Sequence, residues 1–433
     1  MVVRLVKRRH KAFKGMIMVF KVNGGRRLCG SIKIESAKNS VLPIMAGAVL
    51  SDEEIIIERC PKIVDVAEMS KILSLVGKTI DFSGEDLIIK SDVNYNGGEM
   101  TFSQALASNV RTSVLMLGAL SAKTKRAKLP YPGGCDFGVR PIDIHINALN
   151  ALGANVCEKD GFIICDSPVK GGRVVLPFPS VGATENVILA SAVSEGECTI
   201  INAAKEPEII DLATFLNGLG AKIYGAGTSI VRVEGVKKLH GGKFCPSSDR
   251  IEAGTYLIAA AITGGEIEIS NVNPENISSL LCKLCDNTCK CVIKNDIIYL
   301  NSGKRKKSFD ITTGPFPFFP TDLQAQISAL AAVSTGVSHI TDAVFKNRFA
   351  HVPELDKMGA KAKLCGNVAT FEGVPVLHGA EVFAHDLRCG AALVLAGLNA
   401  EGTTVVHDVK YIERGYYAMD KKLAALGADI VRA

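Results

Sequence analysis

The 433-residue sequence contains no apolar run approaching the ~18 residues that a membrane-spanning helix needs. The short MIMVF stretch, Met16 to Phe20, is cut off by Lys21, so neither a transmembrane segment nor a signal peptide is expected. Acidic residues are missing from the beginning of the chain, where Arg4, Lys7, Arg8, Arg9, Lys11 and Lys14 precede any aspartate or glutamate. These six hold the whole basic excess: of 50 Lys and Arg, 44 remain against 44 Asp and Glu. The body of the protein is therefore electroneutral, and a nucleic-acid-binding role would rest on this leader alone. With little apolar content, the leader reads as a disordered arm, or as sequence upstream of a start at Met16 or Met18. The rest is ordinary globular composition, 47% hydrophobic and 22% charged, in a length that suits roughly two to four domains.

The usual metal-binding frameworks are also missing. Thirteen cysteines, an odd count without a secretion signal, suggest a reducing cytoplasm and mostly buried thiols that pack as small hydrophobes. Cys282, Cys285, Cys289 and Cys291 cluster as C-x2-C-x3-C-x-C, a spacing foreign to the common zinc and iron–sulfur sites.

What the chain does have is a repeat. Six times it runs through an Ala- or Gly-rich apolar helix, a turn, a β-branched strand, a connector, a second helix and a closing Leu-Gly-Ala before another strand. The closings are LVGKTI at Leu75, ALGANV at Ala151, GLGAKI at Gly218, the degenerate NTCKCV at Asn287, KMGAKA at Lys357 and ALGADI at Ala425. Turns are expected near Ser51-Asp52, Ser121-Ala122, Glu195-Gly196, Gly264-Gly265, Thr335-Gly336 and Glu401-Gly402. At about 70 residues the period exceeds that of solenoids, so each unit reads as a small α/β subdomain. In this register Cys289 and Cys291 occupy positions where other units carry Ala and Ile, which explains them as core residues. Helices apolar nearly all round, such as GAALVLAGL after Cys389, imply helices inside and sheets outside. Six units divide into two globules of three. One crossing is expected in the polar stretch Leu239 to Asp249, the other near Ser36, because the strands Val19 to Val22 and Ser31 to Ile34 precede the first repeated helix. Residues 1–37 then comprise the leader and strands belonging to the C-terminal globule, 38–247 the N-terminal globule and 248–433 the C-terminal one. Two globules with two crossings make a cleft.

Several stretches carry chemistry. Lys38 and Asn39 stand in the first turn of a helix, where exposed N–H groups favour an anion and a lysine is unfavourable for the helix itself; a solvated lysine is the alternative. Arg111 edges an apolar helix. In YPGGCDFGVRPIDIH, Tyr131 to His145, glycines flank Cys135, with Arg140-Pro141 and Asp143 following, which fits an exposed, tuned thiol better than a structural one. Ser180-Val181-Gly182-Ala-Thr reads as a helix cap or as a cradle for phosphate oxygens. Asp322, behind Phe319-Pro320-Thr321 and opening an amphipathic helix, is either a cap or a base. Arg348, Arg388 and Arg414 mean little singly; gathered on one cleft they would bind carboxylate and phosphate.

As a set, PGGC-x-x-G-x-RP-x-D-x-H at Pro132, AKN at Ala37, SVGAT at Ser180, EPEI-x-D at Glu206, DRIE-x-G at Asp249, FPTDLQAQ at Phe319, NRF-x-HVPEL at Asn347, DLR at Asp386 and RGY at Arg414 resembles the UDP-N-acetylglucosamine enolpyruvyl transferases, from about Phe20 onward. The resemblance implies an α/β fold of two inside-out α/β barrel-like domains, each of three repeated units with buried helices and outer sheets. It implies transfer of the enolpyruvyl group of phosphoenolpyruvate to the 3-hydroxyl of UDP-N-acetylglucosamine, with neither metal nor organic cofactor. By motif, Cys135 would protonate the methylene carbon of phosphoenolpyruvate, or form the family's covalent adduct with this substrate, and Asp322 would take the hydroxyl proton. Lys38, Arg140 and Arg414 would surround phosphate and carboxylate, assisted by Arg111, Arg348 and Arg388. Arg140 and Pro141 would sandwich the uracil, with Asp143 and Ile144 at its edge. Ser180, Val181 and Gly182 would hold the diphosphate and Asn39 the sugar; Val344 and Asp386 complete the implied substrate-binding set.

Three positions depart from or vary within the pattern. Glu35-Ser36 stands where Ser-Gly is usual before AKN, and Phe178 replaces a lysine of some members. Cys135 is kept where some carry Asp, and sensitivity to fosfomycin, which alkylates this thiol in the family, follows. The shikimate-pathway relative, 5-enolpyruvylshikimate-3-phosphate synthase, is disfavoured by the cysteine loop and the RP-x-D segment. A silent sugar-nucleotide-binding paralogue is disfavoured by retention of both Cys135 and Asp322.

Overall fold

The computed structural model describes residues 18–92, 111–131, 142–303 and 306–433. Cys135, Arg140 and Pro141 lie outside these residues, as does the side chain of Arg111.

Among the described residues the six repeats appear as inner helix, strand, outer helix and hairpin. The first comprises α1 (Lys38–Gly47), the strand Ile55–Ile57, α2 (Val64–Leu75) and the hairpin Lys78–Ser83 with Asp86–Ser91. The second has α3 (Leu115–Thr124), Ala127–Pro130, α4 (Asp143–Ala151) and Val156–Lys159 with Phe162–Cys165. The third has α5 (Val181–Ser191), Glu197–Ile201, α6 (Pro207–Gly218) and Lys222–Tyr224 with Ile230–Glu234. The fourth has α7 (Arg250–Thr263), Glu266–Ser270, α8 (Ser278–Asp286) and Cys289–Lys294 with Ile297–Ser302. The fifth has α9 (Gln324–Ala332), Val337–Thr341, α10 (His351–Lys357) and Lys361–Cys365 with Val368–Glu372. The sixth has α11 (Leu387–Leu398), Thr403–His407, α12 (Met419–Ala425) and Asp429–Arg432, whose antiparallel partner Phe20–Asn23 comes from the other end of the chain.

Neighbouring units are tied by parallel strand additions. Gly172–Val175 pairs with Glu197–Ile201, and Gly242–Phe244 returns from the third unit to Ile55–Ile57 of the first. Cys29–Lys33 pairs with Glu266–Ser270, Asp310–Thr312 with Val337–Thr341, and Glu381–Phe383 with Thr403–His407.

The closing Leu-Gly-Ala has a backbone reason. A glycine just past each outer helix takes the left-handed conformation that ends the helix and turns the chain into the hairpin. Gly77, Gly153, Gly220, Gly359 and Gly427 have φ of 77°, 89°, 98°, 87° and 91°. The degenerate fourth closing makes the same turn with Thr288, φ 73°, where a β-branched side chain is strained.

The inner helices are buried around most of their circumference: every residue of α9 and α11 is buried, and so is Ile251–Ile262 of α7. The outer α2 buries a single stripe, Asp65, Val66, Met69, Ile72 and Leu73. Two expectations change here. The helix after Asp322 is not amphipathic, since Gln324 and Gln326 are fully buried with the apolar residues. The turn expected at Ser121-Ala122 lies inside α3, and the chain reverses at Lys125, φ 62°. Of the clustered cysteines, Cys289 is buried and Cys291 half-buried, whereas Cys282 and Cys285 are exposed on α8. No helix among the described residues is long and apolar enough to cross a membrane.

Buried apolar side chains form two separate cores, one running from Val41 to Leu239 and one joining Phe20–Ile34 to Ile251–Ile430. The chain passes between them twice, and the two passages lie side by side. Ala37 N–H donates to Ser247 O at 2.7 Å and Asp249 N–H to Glu35 O at 2.8 Å, an antiparallel bridge centred on Ser36 and Ser248. The unusual Glu35 is absorbed here: its carboxylate pairs with Lys422 at 3.0 Å, and Lys422 also pairs with the buried Glu252 at 2.7 Å.

Replacing Thr288 with glycine removes the left-handed strain at the fourth closing, and Thr288→Gly is expected to raise unfolding free energy by roughly 1 kcal/mol. Chemical denaturation checks this; an unchanged or lower midpoint would show that the side chain's contacts outweigh the strain.

Candidate functional site

Where the two passages meet, charged side chains from both cores converge. Asp322 sits in a one-turn 3-10 helix, Thr321–Leu323, that leads from Pro320 into α9. Its carboxylate caps nothing. Instead Oδ1 accepts from Arg348 Nη1 at 2.7 Å and Oδ2 from Arg388 Nη2 at 2.8 Å, with Asn39 Nδ2 at 3.5 Å from Oδ2. Burial would raise the pKa of this carboxyl, but Arg388 and Arg348 outweigh burial and hold it well below the usual carboxylate range.

Each arginine is aimed by its own local structure. Arg388 is the second residue of α11, whose N-terminus is capped by Asp386 accepting from Arg388 N–H at 2.8 Å and Cys389 N–H at 3.2 Å. Its Nη1 also donates to the Tyr416 hydroxyl at 3.2 Å, and Thr255 Oγ1 and Gln326 Nε2 meet the same hydroxyl at 2.8 and 3.1 Å. Gln326 Nε2 additionally donates to the Asp322 carbonyl at 3.0 Å, so the buried glutamine links the Asp322 backbone to the tyrosine that Arg388 also contacts. Arg348 leaves a turn organised by the fully buried Asp342, which accepts from Val344 N–H, Phe345 N–H and Thr313 Oγ1 at 2.9, 2.8 and 2.8 Å, and from Thr321 Oγ1 at 2.7 Å. Val344 thus stands in the turn that directs Arg348.

A second charged group adjoins the first. Lys38 opens α1 at the passage between cores, its backbone N–H donating to Asp249 Oδ2 at 3.2 Å. Its ammonium pairs with Asp65 Oδ2 at 2.7 Å. Arg414, from the other core, donates to the same carboxylate through Nε at 2.8 Å and Nη2 at 3.4 Å. Burial lowers the Lys38 pKa and nearby Arg388 and Arg414 lower it further, against the opposing pull of Asp65. Burial would raise the Asp65 pKa, yet Lys38 and Arg414 prevail and it lies below the usual range.

The sequence does not single out Asp65, because it belongs to no motif and an acid in the first turn of a helix is commonplace. One signal was present: it falls in register with Met69, Ile72 and Leu73 on the apolar stripe of α2, and a lone acid on such a stripe calls for a buried cation.

Lys38, Asn39, Asp322, Arg348, Arg388 and Arg414 are therefore brought together. The remaining described candidates form a second group on the adjacent helices α4 and α5. Asp143 and Ile144 open α4, and Ser180 caps α5 by accepting from Ala183 N–H at 3.4 Å, with Val181 and Gly182 in its first turn. Gly182 permits the contact between these helices, since a Cβ there would lie 3.1 Å from His145 Cε1. His145 Nδ1 meets Asn186 Nδ2 at 3.1 Å, and burial pushes its pKa down to about 4. Among the described residues no hydrogen bond or ion pair joins this group to the Asp322 cluster.

Chemically, the first group offers a carboxylate beside a concentration of cations, Lys38, Arg348, Arg388 and Arg414, held by two carboxylates, Asp65 and Asp322. That excess of positive charge, partly removed from water, suits an anion with carboxylate or phosphate groups.

A family model described as EPSP synthase (3-phosphoshikimate 1-carboxyvinyltransferase) matches residues 22–423. UDP-N-acetylglucosamine 1-carboxyvinyltransferase 2 of Caldanaerobacter subterraneus subsp. tengcongensis is 46% identical over 95% of this chain and 99% of that protein. The protein of the same name from Carboxydothermus hydrogenoformans is 44% identical over the same shares, 95% and 99%. Among solved structures, the enolpyruvyl transferase NikO from Streptomyces tendae superposes with a TM-score of 0.85 at 23% identity, covering 96% of this chain and 99% of that one. EPSP synthase from Acinetobacter baumannii gives 0.72 at 16% identity, covering 96% and 100%. The fold is thus the mixed α/β fold of the enolpyruvyl transferases. Within it, the chain belongs to the family of UDP-N-acetylglucosamine 1-carboxyvinyltransferases.

The buried neutral His145 makes a pH-dependent contribution. With a folded pKa of about 4, below the unfolded value of ~6.5, its contribution is fully present above pH ~6.5 and is lost as pH falls towards 4. Relative to His145→Gln, the wild-type protein is expected to lose roughly 3 kcal/mol of stability between pH 7 and pH 4. Parallel denaturation curves for the two proteins across that range would contradict this.

Proposed function

We propose that the protein transfers the enolpyruvyl group of phosphoenolpyruvate to the 3-hydroxyl of UDP-N-acetylglucosamine, releasing phosphate, in the first committed step of peptidoglycan synthesis. The observation that carries this reading is the Asp322 carboxylate held at 2.7 and 2.8 Å between Arg348 and Arg388, with the Lys38 and Arg414 cations adjoining, in a chain 46% identical to a protein named for this activity. The proposal includes two inside-out α/β barrel-like globules, residues 38–247 and 248–433, with the first strands, within residues 1–37, belonging to the second. Two separate cores and the pairing of Phe20–Asn23 with Asp429–Arg432 support that division.

The sugar 3-hydroxyl adds to C2 of phosphoenolpyruvate while C3 gains a proton, giving a tetrahedral ketal. The C2–O bond to phosphate then breaks and C3 loses a proton, leaving the enol ether and inorganic phosphate. Asp322 receives the hydroxyl proton, and Cys135 either gives C3 its proton or bonds through sulfur to C2 as C3 is protonated. Asp322 is a weak base while both arginines hold it, because they stabilise its ionised form. An anionic substrate that draws Arg348 or Arg388 towards itself strengthens the base at the moment it is needed.

Lys38, Arg140 and Arg414 surround phosphate and carboxylate, with Arg111, Arg348 and Arg388 assisting, and stabilise the charge that grows as phosphate leaves. Asn39 holds the sugar. At the start of α5 the Ser180 hydroxyl and the Val181 and Gly182 N–H groups hold the diphosphate. Arg140 and Pro141 enclose the uracil, with Asp143 and Ile144 at its edge, and Val344 and Asp386 complete the substrate-binding set.

With both substrates present, the protein is expected to release phosphate, and Asp322→Ala to slow release ~10²- to 10⁴-fold. Cys135→Ala and fosfomycin should each suppress it. Absence of phosphate release from the unaltered protein would overturn the proposal, and undiminished release from Asp322→Ala would remove the base assignment.

A further inference from the structure

We infer that Asp65 is a positioning residue for the proposed transfer: it fixes the Lys38 ammonium beside the Arg414 guanidinium and keeps Lys38 protonated. This deepens, and rests on, the reading of the site given above. Asp65 is 3% exposed at its side chain and comes from α2, an outer helix that otherwise buries apolar residues. It is the common partner of two cations that belong to different cores, Lys38 from the start of α1 and Arg414 from the 3-10 turn Val409–Arg414. The Arg414 contact uses Nε and Nη2 on the two carboxylate oxygens, a side-on geometry that fixes the plane of the guanidinium as well as its place. The close packing is reinforced next door: a Cβ at Gly415 would lie 3.2 Å from Lys38 Cδ and 2.8 Å from Leu387 Cδ2, so the chain carrying Arg414 rests directly on the lysine stem.

The electrostatics explain why a carboxylate is needed. Lys38 faces Arg388 from α11 and Arg414 from the 3-10 turn, both of which favour its neutral form. The Asp249 carboxylate, at the N-cap of α7, is engaged by the Lys38 backbone N–H and by the Ile251 and Glu252 N–H groups. Asp65 is the side chain that pairs with the ammonium at 2.7 Å and opposes both arginines and burial. Without it, two cations would press on a largely desolvated amine, 13% exposed, which would lose its proton at lower pH. A neutral lysine stabilises no departing phosphate.

The test uses the full chain with Asp65→Asn and Asp65→Glu, measuring phosphate release against phosphoenolpyruvate concentration from pH 6 to 10. Asp65→Asn is expected to lower kcat on the order of 10²-fold through misplacement of the two cations, with little change in the KM for UDP-N-acetylglucosamine. The alkaline limb of its kcat profile should move down by about one pH unit or more, and Asp65→Glu should restore part of both losses. A purely structural role would lower Tm in both variants and leave the alkaline limb in place, which would overturn the inference. NMR titration of 15N-lysine-labelled protein, with Lys38→Arg to assign the signal, separates the two levels of the argument. If the unaltered protein shows no turnover but the Lys38 signal titrates at lower pH in Asp65→Asn, the hold of Asp65 on Lys38 stands and the enzymatic reading falls. If the signal titrates identically in both proteins, the inference falls whatever the turnover.

Discussion

Charges taken out of water must be paired, and at the junction of the two cores this requirement organises everything nearby. The side chains of Arg388 and Asp65 are 3% exposed and that of Arg348 is 10% exposed, a setting in which an isolated ion costs several kcal/mol. Two carboxylates meet the demand. Asp322 joins Arg348 to Arg388, and Asp65 joins Lys38 to Arg414. The first pairing lies within one core's chain segment, and the second reaches from one core to the other. The pairing also leaves the junction rich in positive charge, so an anion that enters finds cations already desolvated and oriented. Such preorganisation is the main way a protein stabilises charge that develops during a reaction.

The repeat architecture is what delivers these groups to one place. The first turns of inner helices supply Lys38, Asn39 and Arg388, while Asp322 and Arg414 come from short 3-10 turns at the same ends of their units. At the first turns of α1 and α11 groups from the two cores meet, Lys38 pairing with Asp65 beside Arg414 and Arg388 with Asp322. The adjoining passages of the chain, bridged at Ser36 and Ser248, place Lys38 and Asp249 immediately at that boundary. A hydrogen bond from Phe316 N–H to Glu206 Oε1 at 3.2 Å and the paired Arg250 and Glu208 at 3.0 Å add further links across it.

Much of this was legible in the sequence, for identifiable reasons. The Leu-Gly-Ala closings announce helix ends because the turn that follows demands positive φ, and even the degenerate closing kept the geometry with Thr288 in place of glycine. Lys38 could be placed in the first turn of a helix from the strand before it and the apolar run after it. Other features depended on tertiary context. The helix after Asp322 reads as amphipathic in sequence, but its glutamines are buried, and Gln326 bonds to Tyr416, Thr255 and the Asp322 carbonyl, so there a polar residue signals a network instead of a surface. The end of α3 is not legible because Ser121 is compatible with a turn, whereas its hydroxyl donates to the Gly118 carbonyl within the helix. Asp65 carried only a positional clue, and Glu35 made sense only once Lys422, 387 residues away in sequence, was seen beside it.

The central claim is that these internally paired cations form the seat of phosphoenolpyruvate, with the base at the sugar hydroxyl. A crystal structure of the protein with UDP-N-acetylglucosamine and phosphoenolpyruvate, using Cys135→Ala to slow turnover, tests it most directly. The account predicts phosphate and carboxylate oxygens within hydrogen-bonding distance of Lys38 and Arg414, Asp65 still behind both cations, and an Asp322 oxygen against the sugar 3-hydroxyl. Substrates bound elsewhere, with the Asp322 cluster remote from the reacting atoms, would contradict it.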